Sequence, residues 1–114
     1  MTRTPQDIFA AHSTALASGD VSKILEDYSD DALLLTVDGP LQGKAAIREF
    51  FTAALGALPQ GEFTMGSTVF AEDALLIQWG ATSPKATITD AVDTFVFGEG
   101  EIQLQTTVFR LEPA

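Results

Sequence analysis

Two hydrophobic periodicities follow one another along this chain, and their order limits its fold more than any single motif does. Up to about Leu58, apolar residues recur mainly at helical spacing; from Glu62 onward they alternate in the manner of strands. Thr4-Pro5-Gln6-Asp7 predicts a helix start, with Thr4 as cap, Pro5 in the first helical position and Asp7 near the positive end of the dipole. That helix runs to about Ser18 and stops at Gly19. Ile8, His12 and Leu16 are spaced by four and share one face, so His12 lies in an apolar stripe. Asp20 caps a second, short helix with Val21, Ile24, Leu25 and Tyr28 on one side, broken by Ser29-Asp30-Asp31. A β-rich run from Ala32 to Val37 leads into the turn signal Asp38-Gly39-Pro40. A third helix, about Lys44 to Leu58, presents Ile47, Phe50, Phe51, Ala54, Leu55 and Leu58 as a broad apolar face.

Four alternating runs complete the chain: Glu62 to Ala71, Ala74 to Thr82, Ala86 to Phe97 and Glu101 to Leu111. The intervening Glu72-Asp73, Ser83-Pro84-Lys85 and Gly98-Glu99-Gly100 are short enough for hairpins. Two helices, a strand, a long helix and then an antiparallel meander imply an α+β fold and not βαβ units. A sheet of this length must twist, and the long helix is the natural body for it to wrap. At 114 residues the chain is read as one domain, residues 1–114.

Composition removes several function classes. Six Lys+Arg against sixteen Asp+Glu leave a net charge of −10, a poor basis for gripping phosphates or an anionic membrane surface. No nucleic acid or membrane partner is expected; the acidity suits solubility, or a neutral or cationic ligand. The chain has no cysteine and one histidine, which excludes disulfides, thiolate catalysis and a multi-histidine zinc site, and no cofactor or metal is expected. No run approaches the length of a membrane span, and the first residues lack the apolar core of a signal peptide. The expected compartment is the cytoplasm.

The motifs taken in order carry a resemblance. Ala17-Ser18-Gly19-Asp20, Asp27-Tyr28-Ser29-Asp30-Asp31-Ala32 and Gly39-Pro40-Leu41-Gln42-Gly43-Lys44-Ala45-Ala46-Ile47-Arg48-Glu49-Phe50-Phe51 resemble the SnoaL-like branch of the nuclear transport factor 2 superfamily. Asp93-Thr94-Phe95-Val96-Phe97-Gly98-Glu99-Gly100-Glu101-Ile102, followed by Gln105-Thr106, looks like that branch's closing hairpin. The likeness extends from about Gln6 to Glu112. It implies a cone in which three N-terminal helices pack into a curved, mostly antiparallel sheet around a pocket. It also implies a homodimer formed through the sheet's outer face. Because the superfamily includes ketosteroid isomerases, cyclases, dehydratases and members without known chemistry, the fold decides little about function.

Similarity to the ketosteroid isomerases places their two oxyanion donors on His12 and Asp93. Their general base falls on Thr36, which has no basic group, so that proton shuttle is not expected here. Asp38, two residues on, shares the parity of Thr36 but sits in a turn signal. His12 and Asp93 are therefore the candidate pair. A neighbouring carboxylate would stabilise the imidazolium and burial would disfavour it, which leaves the direction of the His12 shift open. Hydrogen-bonded interior roles for both residues stay open as well. Tyr28, Thr36, Trp79, Phe95, Phe97 and Arg110 are the candidate ligand contacts, each with core packing or surface pairing as its plainer reading. On the last strand, Leu104, Thr106, Val108 and Arg110 are expected inside, with Gln103, Gln105, Thr107 and Phe109 toward a partner. Three functions follow: binding of a small apolar or weakly polar molecule, proton transfer through His12 and Asp93, or a non-catalytic dimerisation or adaptor module.

Overall fold

Thr4 starts the first helix as its sequence requires. Its hydroxyl accepts from the Asp7 amide at 3.1 Å and the Asp7 carboxylate accepts from the Thr4 amide at 3.2 Å. The computed structural model describes residues 3–114. Helix α1 spans Pro5–Ser18 and ends at Gly19, whose φ of 74° is the left-handed cap that glycine adopts without strain. Asp20 accepts from the Lys23 amide to begin α2, Val21–Leu25. Strand β1 is Tyr28–Thr36, β2 is Gly39–Gln42, and α3 is Lys44–Ala57. The remaining strands are β3 (Glu62–Ala71), β4 (Ala74–Thr82), β5 (Ala86–Gly98), β6 (Glu101–Val108) and β7 (Leu111–Pro113). No helix among the described residues is long and apolar enough to cross a membrane.

The strands form one mixed sheet in the order β2-β1-β6-β5-β4-β3, with β7 on β5. Among the described residues only β1 and β6 run parallel; the other neighbours are antiparallel. Ile8, Ile24, Leu34, Ile47, Phe51, Leu75, Phe95 and Ile102 join in one buried cluster, which binds the helices to the concave face of the sheet. The α+β architecture and the curled sheet match the expectation from the order of periodicities.

Three local expectations need correction. Tyr28 opens β1 and does not close α2; it pairs with Ile102 of β6, and the strand ladder absorbs Ser29-Asp30-Asp31 through a register shift before Leu33. The Gly39-Pro40 segment is more than a turn, because it folds back as β2 on the free edge of β1. The last alternating run is two strands, β6 and β7, broken at Phe109-Arg110.

A fourth correction matters more. Between the pairs Val96–Leu104 and Phe97–Ile102, Gln103 is one residue too many: a β-bulge. Side chains alternate strictly along a strand, so one extra residue exchanges the faces of everything after it. Ile102 points inward, and without the bulge Leu104, Thr106, Val108 and Arg110 would follow it. With the bulge, Gln105 and Thr107 are buried, Phe109 lines the interior, and Val108 is exposed.

Two further bulges bend the sheet. Gly66 and Ser67 of β3 together oppose Gln78, and Thr89 and Asp90 of β5 together oppose Gly80. Asp90 takes a left-handed φ of 57°, which aspartate tolerates better than most residues. A Cβ on Gly80 would stand 2.9 Å from the Ile88 carbonyl oxygen, so the strands approach here only because no side chain intervenes. Gly80→Ala is expected to destabilise the fold by about 1–3 kcal/mol, as overpacking against backbone does. Gly56, exposed on α3 with nothing within 4 Å of an added Cβ, gives the contrast. Gly56→Ala should stabilise by about 0.5–1 kcal/mol. Urea unfolding of both variants checks the pair, and equal effects would reject the bulge argument.

Candidate functional site

Inside the cone lies a cavity of about 570 Å³. Its walls come from α1 (Phe9, His12, Leu16), α3 (Phe50, Phe51, Ala54) and the inner faces of β4, β5 and β6. Most of the lining is apolar, much of it aromatic. On the sheet side Asp93, Gln105 and Thr107 interrupt it, as do Glu62 and Thr64 of β3.

The register of three strands assembles the polar patch around Asp93. Asp93, in the middle of β5, stands opposite Ile77 on β4 and opposite Thr107 on β6. Thr107 is the direct cross-strand neighbour, and its short hydroxyl reaches Asp93 Oδ1 at 2.6 Å. Trp79 and Gln105 lie two residues along on the same face, at the diagonal positions that only long side chains can bridge. Trp79 Nε1 donates to Asp93 Oδ1 at 3.0 Å and Gln105 Nε2 donates to Oδ2 at 2.9 Å. Burial raises the Asp93 carboxyl above its ordinary value, while the bonds from Thr107, Trp79 and Gln105 oppose the rise.

Tyr28 acts one step back. It is wholly buried, and its hydroxyl donates to Gln105 Oε1, so the amide must offer its NH₂ to Asp93. Burial, with the nearby charges of Asp93 and then Asp27, raises the Tyr28 phenol well above its usual range. Tyr28 does not line the cavity itself. It positions Gln105, which does.

His12 lines the same cavity as Asp93, but no hydrogen bond or ion pair joins the two. Its ring packs edge-on against Tyr28, Phe51 and Phe95, with centroids at 5.7, 6.2 and 5.5 Å. Nδ1 is buried and has no hydrogen-bond partner. Desolvation alone lowers the His12 pKa to about 4, so the imidazole is neutral at physiological pH. The open question of direction is thereby answered. The carboxylate that would have supported the imidazolium instead takes its donors from β4 and β6.

The other expected contacts divide. Trp79 and Phe95 line the cavity. Phe97 stacks on Phe95 at 6.0 Å and is core, outside the lining. Arg110 is exposed, because the β6 bulge turns it outward. Thr36 ends β1 and braces the turn to β2: its hydroxyl donates to the Gly39 carbonyl at 3.0 Å and accepts from the Asp38 amide at 3.1 Å. It lines a second cavity of about 490 Å³ with Asp38 and Glu49, which shares Phe50, Thr107 and Phe109 with the first. Simple alternation missed Gln105, Thr107 and Phe109. One signal was present, since an inward Phe109 requires Gln105 and Thr107 to face inward too.

Stability should report the state of His12. The folded chain keeps it neutral down to pH about 4, whereas the unfolded chain protonates near the ordinary value of 6.5. The contribution is therefore complete above 6.5 and lost as pH falls toward 4, amounting to about 3 kcal/mol. Asp93, raised in the folded state, works in the opposite sense, and a comparison of variants cancels it. Between neutral pH and pH about 4, wild type should lose about 3 kcal/mol more than His12→Phe. At neutral pH His12→Phe should be at least as stable as wild type, because the unpaired Nδ1 is gone. Equal pH slopes in urea unfolding would mean that His12 titrates normally.

Comparisons with known proteins agree with this fold. An enzyme described as epoxide hydrolase/cyclase-like, SalBIII of pyran ring formation in the polyether salinomycin, superposes with a TM-score of 0.81 at 21% identity, covering 96% of this chain and 95% of that one. A SnoaL-like protein of unknown function from Burkholderia thailandensis gives 0.77 at 19% identity, over 93% and 94%. An NTF2-like protein of unknown function from Cytophaga hutchinsonii gives 0.78 at 12% identity, over 96% and 93%. At such identities the likeness is one of fold. No curated protein matches the chain. The SnoaL-like domain model, however, matches residues 9–105, and the chain belongs to the SnoaL-like family.

Proposed function

We propose that this chain is a small-molecule-binding protein whose ligand lies in the cone, with an apolar body and one polar group at Asp93. One observation carries the reading: a hydrogen-bonded polar patch of Asp93, Gln105 and Thr107 on the wall of a mostly apolar cavity of about 570 Å³, within the usual range for ligand sites. Asp93, Gln105 and Thr107 are the polar contacts, a neutral His12 lines the cavity from α1, and Trp79, Phe95 and Phe109 form walls. Neither Phe97 nor Arg110 is part of the site. Thr36 belongs to the second cavity, and its engagement in the turn supports the expectation that it is no base.

Proton transfer is the second reading, favoured by Asp93 and a neutral His12 lining the same cavity from the sheet and from α1. It needs a substrate to link them, since no hydrogen bond or ion pair joins them. An adaptor role would be favoured by a cone filled with Phe95, Phe97 and Trp79, and the open cavity removes that support. A homodimer through the sheet's outer face remains part of the proposal, as does a cytoplasmic location. Exposed Leu76, Val69 and Val108, which are 42%, 52% and 55% accessible, support the dimer on residues other than those first expected. Sedimentation at micromolar concentration should return a dimer; a monomer would remove that part of the proposal.

Nile red, a neutral apolar dye, tests the cavity directly. Its emission should shift to the blue and saturate as the protein is added. Ala54 lines the cavity from α3. Ala54→Phe should fill part of it and weaken dye binding by about tenfold, the equivalent of about 1.4 kcal/mol. Binding that fails to saturate, or that ignores Ala54→Phe, would sink the reading.

A further inference from the structure

The lining of this cavity is one-sided in charge. Its formally charged residues are Asp93 on the wall and Glu62, and no lysine or arginine lines it. The adjoining second cavity repeats the pattern, with Asp38 and Glu49 and no basic residue. The six basic residues of the chain, Arg3, Lys23, Lys44, Arg48, Lys85 and Arg110, all lie elsewhere.

Asp93 is the group that most lacks an opposite charge. It is 6% exposed, and its three donors are a hydroxyl, an indole and an amide, all neutral. They satisfy three of the roughly four acceptor positions of a carboxylate and none of its charge. A buried charge without an ionic partner is costly, and burial already pushes the Asp93 carboxyl up. Beside it stands Trp79, whose indole in turn contacts Phe63 and Phe109 with centroids at 6.0 and 5.8 Å. Rings of this kind attract a cation through their faces and accept hydrocarbon equally well. His12 is neutral and contributes a free Nδ1, which adds no positive charge to the interior.

We infer that the cavity selects a hydrophobic amine: an ammonium group on Asp93, beside Trp79, with the hydrocarbon body between the α1 and α3 aromatic side chains. This deepens the proposed binding function and rests on it. An alcohol of the same shape would supply the fourth hydrogen bond but no charge. A carboxylic acid would find acidic side chains and no lysine or arginine in the lining.

Phenylbutylamine, phenylbutanol and phenylbutyrate separate the terms, because they share one hydrocarbon and differ in the head group. Each is titrated into the intact protein at neutral pH, where an alkylamine is protonated. The fluorescence of Trp79 reports binding, since it is the only tryptophan and is bonded to Asp93. The amine should bind about tenfold more tightly than the alcohol, the usual advantage of a charge-assisted hydrogen bond, and the acid should bind most weakly. Asp93→Asn should bring amine and alcohol to parity. Glu26→Gln, which removes one negative charge from an exposed position away from both cavities, should leave the preference intact. The wild-type ratio decides even if Asp93→Asn fails to fold. An alcohol that binds as tightly as the amine, or an amine preference that survives Asp93→Asn, overturns the inference while the binding function stands. If no probe saturates, and Nile red does not either, the binding function falls with it.

Discussion

A carboxylate inside an apolar cone, held by three neutral donors from the strands on either side, is the interaction that the rest of this structure serves. For Asp93 to be buried at all, its oxygens need hydrogen bonds in place of water. Thr107, Trp79 and Gln105 provide them only because β4, β5 and β6 lie in one register with these side chains on one face. The Gln103 bulge is what turns β6 to that face. Tyr28, from the parallel strand beyond, then holds the Gln105 amide in the one orientation that serves Asp93. Four of the sheet's strands thus contribute to one polar patch.

The two interior ionisable groups of the cavity meet burial in different ways. Asp93 is surrounded by donors, so its charged form is partly supported despite desolvation. His12 is surrounded by rings, receives no such help, and stays neutral. The cavity therefore carries a hydrogen-bonded carboxyl group on its sheet side and a neutral imidazole on α1. This asymmetry, together with the absence of basic residues from the lining, gives the cavity its electrostatic character. The same acidity extends over the chain, whose net charge of −10 draws cations toward it.

Curvature links the fold to the site. A flat sheet would leave the helices on one side with no enclosed space between the layers. The bulges opposite Gln78 and Gly80 increase the local twist and bend β3, β4 and β5 around the helices. Trp79 lies between these two bulges, which helps to explain how its indole reaches across to Asp93.

Local chemistry was legible in the sequence because it depends on neighbours a few residues away. The Thr4 and Asp20 caps, the stop at Gly19, the three helices and the strand meander all follow from such short-range rules. The inward parity of Asp93 and Phe95, and the place of His12 on the buried face of α1, were legible for the same reason. The face of β6 was not. A bulge without a glycine or proline leaves no plain local mark, and Gln103 stands outside the ladder with its side-chain amide donating to the Gly98 carbonyl at 2.9 Å. One unpaired residue therefore brought Gln105, Thr107 and Phe109 to the cavity and sent Arg110 to the surface. Likewise, the sequence placed His12 and Asp93 in the same interior, but only the tertiary structure decided that they do not pair. Hydrogen-bond partners are set by the nearest side chains in space, and those of Asp93 come from the adjacent strands.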